Sequence, residues 1–159
     1  MQIPKKILVP TDLSECDGSC SLAAVETAVS LSKHFDSELI FLHVISDDPY
    51  KKPMFFLDDE KIELILDKMK EVSLEQLNKL IKNYASEIQD KCKAKLRTGK
   101  PSQEIIKEAT ESDVDLIIIA TRGSGNVHNA VFRSTTNKVI QRATCSVLVS
   151  KNRSKKTNN

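Results

Sequence analysis

Two stretches of this sequence carry residue types that could hold a phosphate group. In the first, Asp115 to Ile140, an uninterrupted apolar run ends in small and polar residues, including Gly123 and Ser124, and leads into a predicted helix. In the second, Asp12 follows another apolar run. A strand, a loop and a helix in this order commonly bind phosphate, because the N–H groups at a helix start lack partners and favour an anion. These stretches are the first candidates for a nucleotide-binding site.

Neither of the common glycine-rich phosphate motifs is present. A dinucleotide-binding fold requires GxGxxG directly after the first strand, and "PTDLSECDGSC" contains one glycine, Gly18. A Walker loop requires GxxxxGK followed by Ser or Thr. In "GKPS", at Gly99, proline follows the lysine, and Ala94 stands where the first glycine should be. The sequence therefore excludes both of these phosphate sites.

Strand-like and helix-like patterns alternate along the chain. Short apolar or alternating runs predict strands, and apolar residues that recur every three to four positions predict helices. The predicted strands are Lys5–Pro10, Ser37–Ser46, Cys92–Thr98, Val114–Thr121 and Cys145–Lys151. The predicted helices are Cys20–Phe35, a long one between Asp58 and Asp90, Lys100–Asp113, and one from about Ser134 to Ala143.

This alternation predicts an α/β fold, a parallel sheet with helices on both faces. Ligands in such sheets bind beyond the carboxyl ends of the strands, where the strand order reverses. The loops after Pro10, Val44 and Ala120 are therefore the places where a ligand is expected.

A resemblance to a known family covers nearly the whole chain. The segments "ILVPTDLS", "LIFLHV", "DLIIIATRGSG" and "VIQRATCSVLV" resemble the universal stress proteins in sequence and in order, from about Lys5 to Lys151. The resemblance implies a single doubly wound, open, five-stranded parallel sheet with strand order 3-2-1-4-5. It also implies a homodimer joined through the last strand, Cys145 to Lys151, and a site for an adenine nucleotide, ATP or AMP.

The resemblance also assigns contacts in that site. In family members that bind ATP, a GxxGx9G(S/T) signature surrounds the phosphates, the aspartate after the first strand approaches the ribose, and the HV backbone of the second strand approaches adenine. Carried over by position, the ribose contact is Asp12 and the adenine contact is Val44. The signature positions read Ala120, Gly123, Arg133 and Ser134, so two of the three glycines are replaced.

The two glycine replacements differ in their expected effect on phosphate binding. Ala120 adds one methyl group, which the backbone accommodates unless the position requires a positive φ. Arg133 is the more serious change, because a long side chain can fill the space that glycine leaves for a phosphate. A guanidinium is also a good phosphate partner, pairing two N–H groups with two oxygens. Two alternatives stay open: Arg133 blocks the phosphate site, or Arg133 binds the phosphate. Ser134 offers a hydroxyl and an N–H at the predicted helix start.

The expected function follows from these residues and the resemblance. It is a stress-response protein that binds an adenine nucleotide weakly or conditionally at the carboxyl ends of strands 1 and 4, with ATP and Mg²⁺ as the expected ligands. The alternative is a dimeric stress adaptor that binds no nucleotide. Any ATPase activity is expected to be slow, a role without catalysis is favoured, and no catalytic or metal-binding residue is assigned. The candidate nucleotide contacts are Pro10, Thr11, Asp12, Val44, Ala120, Gly123, Arg133, Ser134 and Thr135.

Composition limits the partners and the compartment. The 159 residues suit one domain, expected over 1–151, followed by a disordered basic tail over 152–159. The net charge is only +2, which disfavours a nucleic-acid partner. No apolar run approaches the roughly eighteen residues of a membrane span, and no secretory signal is recognised, so a cytoplasmic location is expected. Four cysteines are expected to be reduced thiols of unassigned redox role: Cys16, Cys20, Cys92 and Cys145.

Overall fold

A computed structural model describes residues 2–13, 21–47, 57–121 and 129–151 of the chain, the side chains of 129–133 excepted. Its strands are β1 (Lys6–Pro10), β2 (Glu38–Ser46), β3 (Cys92–Gly99), β4 (Leu116–Thr121) and β5 (Ser146–Lys151). Its α-helices are α1 (Leu22–Phe35), α2 (Asp59–Tyr84), α3 (Pro101–Glu111) and α4 (Asn129–Arg142), and a short 3₁₀ helix, Ser86–Lys91, joins α2 to β3. The predicted basic tail, Gly123, Cys16 and Cys20 lie outside the described residues.

The strands form one parallel sheet in the order β3-β2-β1-β4-β5. The predicted order 3-2-1-4-5 is therefore confirmed. The central strand, β1, pairs with β2 from Lys6 opposite Glu38 to Pro10 opposite Leu42, and with β4 on its other side. Since the chain passes from β1 to β2 and β3 in one direction and then returns to β4, the strand order reverses at β1. The carboxyl ends of β1 and its neighbours are the expected place for a ligand.

Alternate side chains of the central strands pack against helices on opposite faces of the sheet. Ile7, Val9 and Phe41 belong to a buried cluster that includes residues of α1 and α2. Leu8 and Leu42 belong to a second cluster with residues of α3 and α4. The helices therefore cover both faces, as predicted, and this explains why the central strands are apolar throughout. No helix within the described ranges is long and apolar enough to cross a membrane.

The long helix predicted between Asp58 and Asp90 ends earlier than expected. Helix α2 stops at Tyr84, and Ala85 leaves the helical region with φ −130° and ψ 25°. The 3₁₀ helix that follows keeps Ile88 buried. The apolar repeat therefore continues beyond Tyr84 because the same side of the chain stays buried, although the α-helical backbone does not continue.

The last helix, predicted from about Ser134, begins five residues earlier, at Asn129. Ser134 is consequently in the second turn, beyond the first-turn N–H groups that lack intrahelical acceptors. The expectation that Ser134 offers its N–H at a helix start is therefore wrong. Arginine is a good helix former and glycine a poor one, so Arg133 at a glycine position of the signature favours a helix that continues through this point.

Strand β3 lies at one edge of the sheet. Its apolar residues Cys92, Ala94 and Leu96 pack against the cluster that contains α2 residues. Two of its charged residues contact α3: Lys95 Nζ and Arg97 Nε each donate a hydrogen bond of 2.6 Å to the Glu108 carboxylate. Arg97 also donates to Glu104 at 3.3 Å and to Glu111. This ion cluster fixes α3 against the edge of the sheet.

Candidate functional site

A cavity of about 130 Å³ lies at the carboxyl ends of β1 and β2, against α3 and α4. It is far larger than the roughly 10–15 Å³ that one water molecule needs. The lining residues are Pro10, Thr11, Asp12, Leu42, His43, Val44, Pro101, Ile105 and Thr135. The structure thus brings together five of the predicted contacts: Pro10, Thr11, Asp12, Val44 and Thr135. Its position agrees with the general rule for ligands in doubly wound sheets.

Thr11, the first residue after β1, is held by hydrogen bonds from several directions. Its N–H donates to the Leu42 carbonyl at 2.8 Å. Its own carbonyl accepts a 2.9 Å hydrogen bond from His43 Nδ1. Its hydroxyl donates to Ser21 Oγ at 3.0 Å and accepts from the Leu13 N–H at 3.2 Å. Hydrogen bonds of both the main chain and the side chain of Thr11 therefore fix the backbone that leads to Asp12.

His43 supports this loop through its ring. Because a carbonyl oxygen only accepts, Nδ1 carries the hydrogen of this bond. His43 is not among the contacts predicted from the sequence. Its position next to Val44 at the end of β2 is the signal that could have placed it at the cavity.

Asp12 is the acidic residue of the cavity lining. Its Oδ1 accepts a 3.3 Å hydrogen bond from Ser21 Oγ. An ionised carboxylate only accepts hydrogen bonds, so its natural ligand partner is a group with O–H or N–H donors. A sugar with free hydroxyl groups fits that requirement.

Part of the cavity lining is apolar. Val44 lies near the end of β2, and Pro101 and Ile105 lie one turn apart on α3. Residues four apart on a helix share a face, so the proline and the isoleucine present one apolar surface. Sequence reasoning missed both residues, although the proline at the predicted helix start after Gly99 marks the carboxyl edge of β3. A cavity with one apolar wall and a few polar groups suits a ligand with a flat apolar part and a polar part.

Of the four remaining predicted contacts, the two that the structure describes in full, Ala120 and Ser134, are not in the lining of this cavity. Ala120 is fully buried in β4 and packs in the cluster on the α1 side of the sheet. It is absent from the residues with positive φ, so the alanine suits its backbone. Ser134 is exposed on α4, whereas Gly123 and the Arg133 side chain lie outside the described residues.

Catalysis by a nucleophilic thiol and binding of a metal ion are not supported by the residues that the structure describes. Cys92 and Cys145 are free and half-buried. Burial, followed by the charge of Asp90, raises the pKa of Cys92 to about 11, and burial also raises the pKa of Cys145. Both thiols are therefore protonated at neutral pH and poor nucleophiles. Within the described ranges, no three His, Cys, Asp or Glu side chains form a group that could hold a metal ion.

The fold and the cavity together define the class: an open, doubly wound α/β protein with a small-molecule cavity where the strand order reverses. Residues 4–151 match the sequence pattern of the universal stress protein family. The chain therefore belongs to the universal stress protein family, and the resemblance noted in its sequence is confirmed.

Individual relatives cover most of the chain. The universal stress protein MJ0531 of Methanocaldococcus jannaschii is 33% identical over 147 residues, covering 92% of this chain and 82% of that protein. The universal stress protein MJ0577 of the same organism is 31% identical over 157 residues, covering 92% and 94%. Among solved structures, the universal stress protein UspA of Lactobacillus plantarum has a TM-score of 0.72 at 25% identity, covering 92% of this chain and 97% of that one.

Proposed function

We propose that this protein acts in a stress response by binding an adenine nucleotide, weakly or conditionally, in the cavity at the carboxyl edge of its sheet. The observation that carries the proposal is the composition of this cavity. An apolar wall of Val44, Pro101 and Ile105 lies in the same cavity as the carboxylate of Asp12. A purine base needs an apolar surface, and a ribose needs an acceptor for its hydroxyl groups.

Two solved structures of this fold make adenine nucleotides the natural choice of ligand class. One universal stress protein was crystallised in complex with cAMP, and it has 18% identity and a TM-score of 0.64 to this chain. Another, from Arabidopsis thaliana, has AMP bound, with 21% identity and a TM-score of 0.65. The likeness itself concerns the fold, and the ligands belong to those proteins. Both ligands carry an adenine, a ribose and one phosphate, so AMP belongs in the test beside ATP.

The proposed arrangement assigns a part of the nucleotide to each part of the site. The base packs against Val44 and the apolar wall, and the ribose hydroxyls donate to Asp12. Pro10, Thr11 and Thr135 also line the cavity. The phosphates, with Mg²⁺ in the case of ATP, are assigned to the sequence between Ala120 and Ser134, which contains Gly123 and Arg133. Since no catalytic residue is assigned there, hydrolysis is proposed to be slow at most.

Calorimetric titration tests this function directly. We expect ATP with Mg²⁺ and AMP each to give measurable heat and to raise the unfolding temperature at millimolar concentration, because a ligand that binds only the folded state stabilises it. GMP is the control for the base, and ribose 5-phosphate is the control for a ligand without one. If adenine nucleotides produce neither heat nor a thermal shift at millimolar concentration, the proposed function is wrong.

A dimeric adaptor without nucleotide is the second candidate function, and two observations favour it. Two of the three glycines of the phosphate signature are replaced, at Ala120 and Arg133. In addition, Leu64, Ile65 and Val72 are exposed on the first part of α2, where they offer an apolar surface to a partner protein.

The homodimer is proposed to form through β5. In the described sheet β5 pairs only with β4, and its residues Val147, Leu148 and Val149 are half-buried. Pairing this edge with its copy across a two-fold axis would cover it. We expect light scattering at micromolar concentration to give about twice the 17.8 kDa mass of one chain. A mass of one chain would contradict the β5 interface.

A further inference from the structure

Ser21, which does not line the cavity, stands out because of how its hydroxyl is used. It directly precedes α1 and occupies the position at which a serine normally caps a helix. A capping hydroxyl accepts a hydrogen bond from an N–H in the first turn and contributes about 1 kcal/mol to stability. Ser21 makes no such bond to the first turn of α1, all of whose residues the structure describes.

The hydroxyl of Ser21 is instead part of a chain of hydrogen bonds that ends on Asp12. The Leu13 N–H donates to Thr11 Oγ1 at 3.2 Å, and Thr11 Oγ1 donates to Ser21 Oγ at 3.0 Å. Ser21 Oγ then donates to Asp12 Oδ1 at 3.3 Å. Each group in the chain donates to the next, an arrangement in which the bonds polarise and strengthen one another.

Backbone strain and burial both mark this chain of hydrogen bonds. Leu13 has φ 55°, a left-handed conformation that disfavours a leucine by about 1–2 kcal/mol. Ser21 is only 6% exposed, so its hydroxyl has little access to water and depends on its protein partners. The loop thus adopts an unfavourable backbone at Leu13, whose N–H donates to Thr11, and the buried Ser21 hydroxyl donates to the carboxylate in the cavity.

We propose that Ser21 is a positioning residue that orients the Asp12 carboxylate towards the hydroxyl groups of a bound ribose. The inference rests on the proposed function, and it adds a residue outside the cavity to the binding site. A hydrogen bond to Oδ1 restricts rotation of the carboxylate plane, so that the carboxylate is already oriented when the sugar arrives. Preorganisation of this kind increases affinity because less conformational freedom is lost on binding.

The test compares Ser21→Ala with the wild-type protein, using ATP and 2′,3′-dideoxy-ATP, which lacks both ribose hydroxyls. If Ser21 orients Asp12 for the ribose, Ser21→Ala weakens ATP binding by roughly 3- to 10-fold, the value of one hydrogen bond. Binding of the dideoxy nucleotide stays unchanged, because the interaction that Ser21 supports is missing there. A purely structural role would weaken both nucleotides equally.

Ser32→Ala is the matched control. Ser32 lies on the same helix, is 1% exposed, and donates a 2.6 Å hydrogen bond to the Ser37 carbonyl, far from the cavity along α1. This variant also loses a buried hydroxyl and is expected to leave the ratio of the two affinities unchanged.

Two results overturn the proposal, and they differ in what else they overturn. If the wild-type protein prefers ATP over the dideoxy nucleotide and Ser21→Ala keeps that preference, the positioning role alone is wrong. If the wild-type protein shows no preference, the ribose contact of Asp12 in the proposed function is wrong as well.

Discussion

Replacing Glu108 with glutamine is expected to lower the free energy of unfolding by about 2–4 kcal/mol at pH 7, slightly less than the roughly 3–5 kcal/mol for breaking a fully buried ion pair. The Glu108 side chain is 3% exposed and accepts from both Lys95 and Arg97. Glutamine has the same shape, but it directs an amide N–H₂ towards one of two cations. Lys95 is 39% exposed and can reach water, which reduces the loss.

The effect has a defined pH dependence. Burial by itself would raise the pKa of Glu108, but hydrogen bonds from Lys95, Ser112 and Arg97 outweigh it, and the pKa lies below its ordinary value. A carboxylate with a lowered pKa stabilises the folded state above its unfolded pKa, about 4.3, and this stabilisation is lost as the pH falls through the folded value. The difference between the wild type and Glu108→Gln should therefore be constant near neutral pH and decrease in acid. Urea unfolding followed by circular dichroism, from pH 7 downwards, measures it.

Glu111→Gln is the control for this prediction. Glu111 accepts from the same arginine, yet its side chain is 52% exposed, so its removal is expected to cost less than about 1 kcal/mol. Equal losses for the two variants would show that burial of Glu108 does not determine the strength of the cluster. The functional consequence concerns α3, since this helix carries Pro101 and Ile105 of the cavity.

Replacing Asp12 with alanine is expected to weaken the binding of ATP and of AMP by roughly 10- to 100-fold, because hydrogen bonds to a charged group contribute about 1.5–3 kcal/mol. Among the described residues that line the cavity, Asp12 is the one carboxylate, and the ribose hydroxyls are proposed to donate to it. Calorimetric titration of both nucleotides measures the loss. The unfolding temperature without nucleotide should change little, which separates lost contacts from lost folding.

Asp47→Ala is the matched control for charge. Asp47 follows β2 at the same edge of the sheet, and it does not line the cavity. Its removal changes the net charge by the same amount and is expected to leave the affinity within about two-fold, since the side chain is not in the lining and salt screens charges at a distance. Similar losses for Asp12→Ala and Asp47→Ala would mean that the general negative charge matters and that Asp12 makes no specific contact.

Much of the fold could be predicted because local patterns determine it. Continuous apolar runs such as Ser37–Ser46 fit strands that are buried on both faces, and the helical repeats between them fit crossover helices. The predicted end of the long helix was wrong because two backbone conformations bury the same residues, as at Ile88 in the 3₁₀ helix. The predicted start of α4 was also wrong, because the family pattern placed a glycine where this chain has Arg133.

The site was predictable in part for a similar reason. Asp12 and Val44 follow from their positions at strand ends and from the family resemblance. Pro101 and Ile105 did not follow, because their place in the cavity depends on how α3 packs across the sheet. The role of Glu108 could not be predicted for the same reason. Glu104, Glu108 and Glu111 are visible in the sequence, but the ion cluster that they form depends on β3 lying beneath α3.

The sequence by itself determined the order of elements, the family and the carboxyl edge at which a ligand is expected. These depend on residues that are near one another in the chain, on hydrophobic period and on short motifs. Only the tertiary structure decided that Thr11, Ser21 and Asp12 form one chain of hydrogen bonds and that Glu108 of α3 accepts hydrogen bonds from two cations of β3. Hydrogen bonds and ion pairs act over about 3 Å, and sequence distance does not reveal which groups the fold brings that close.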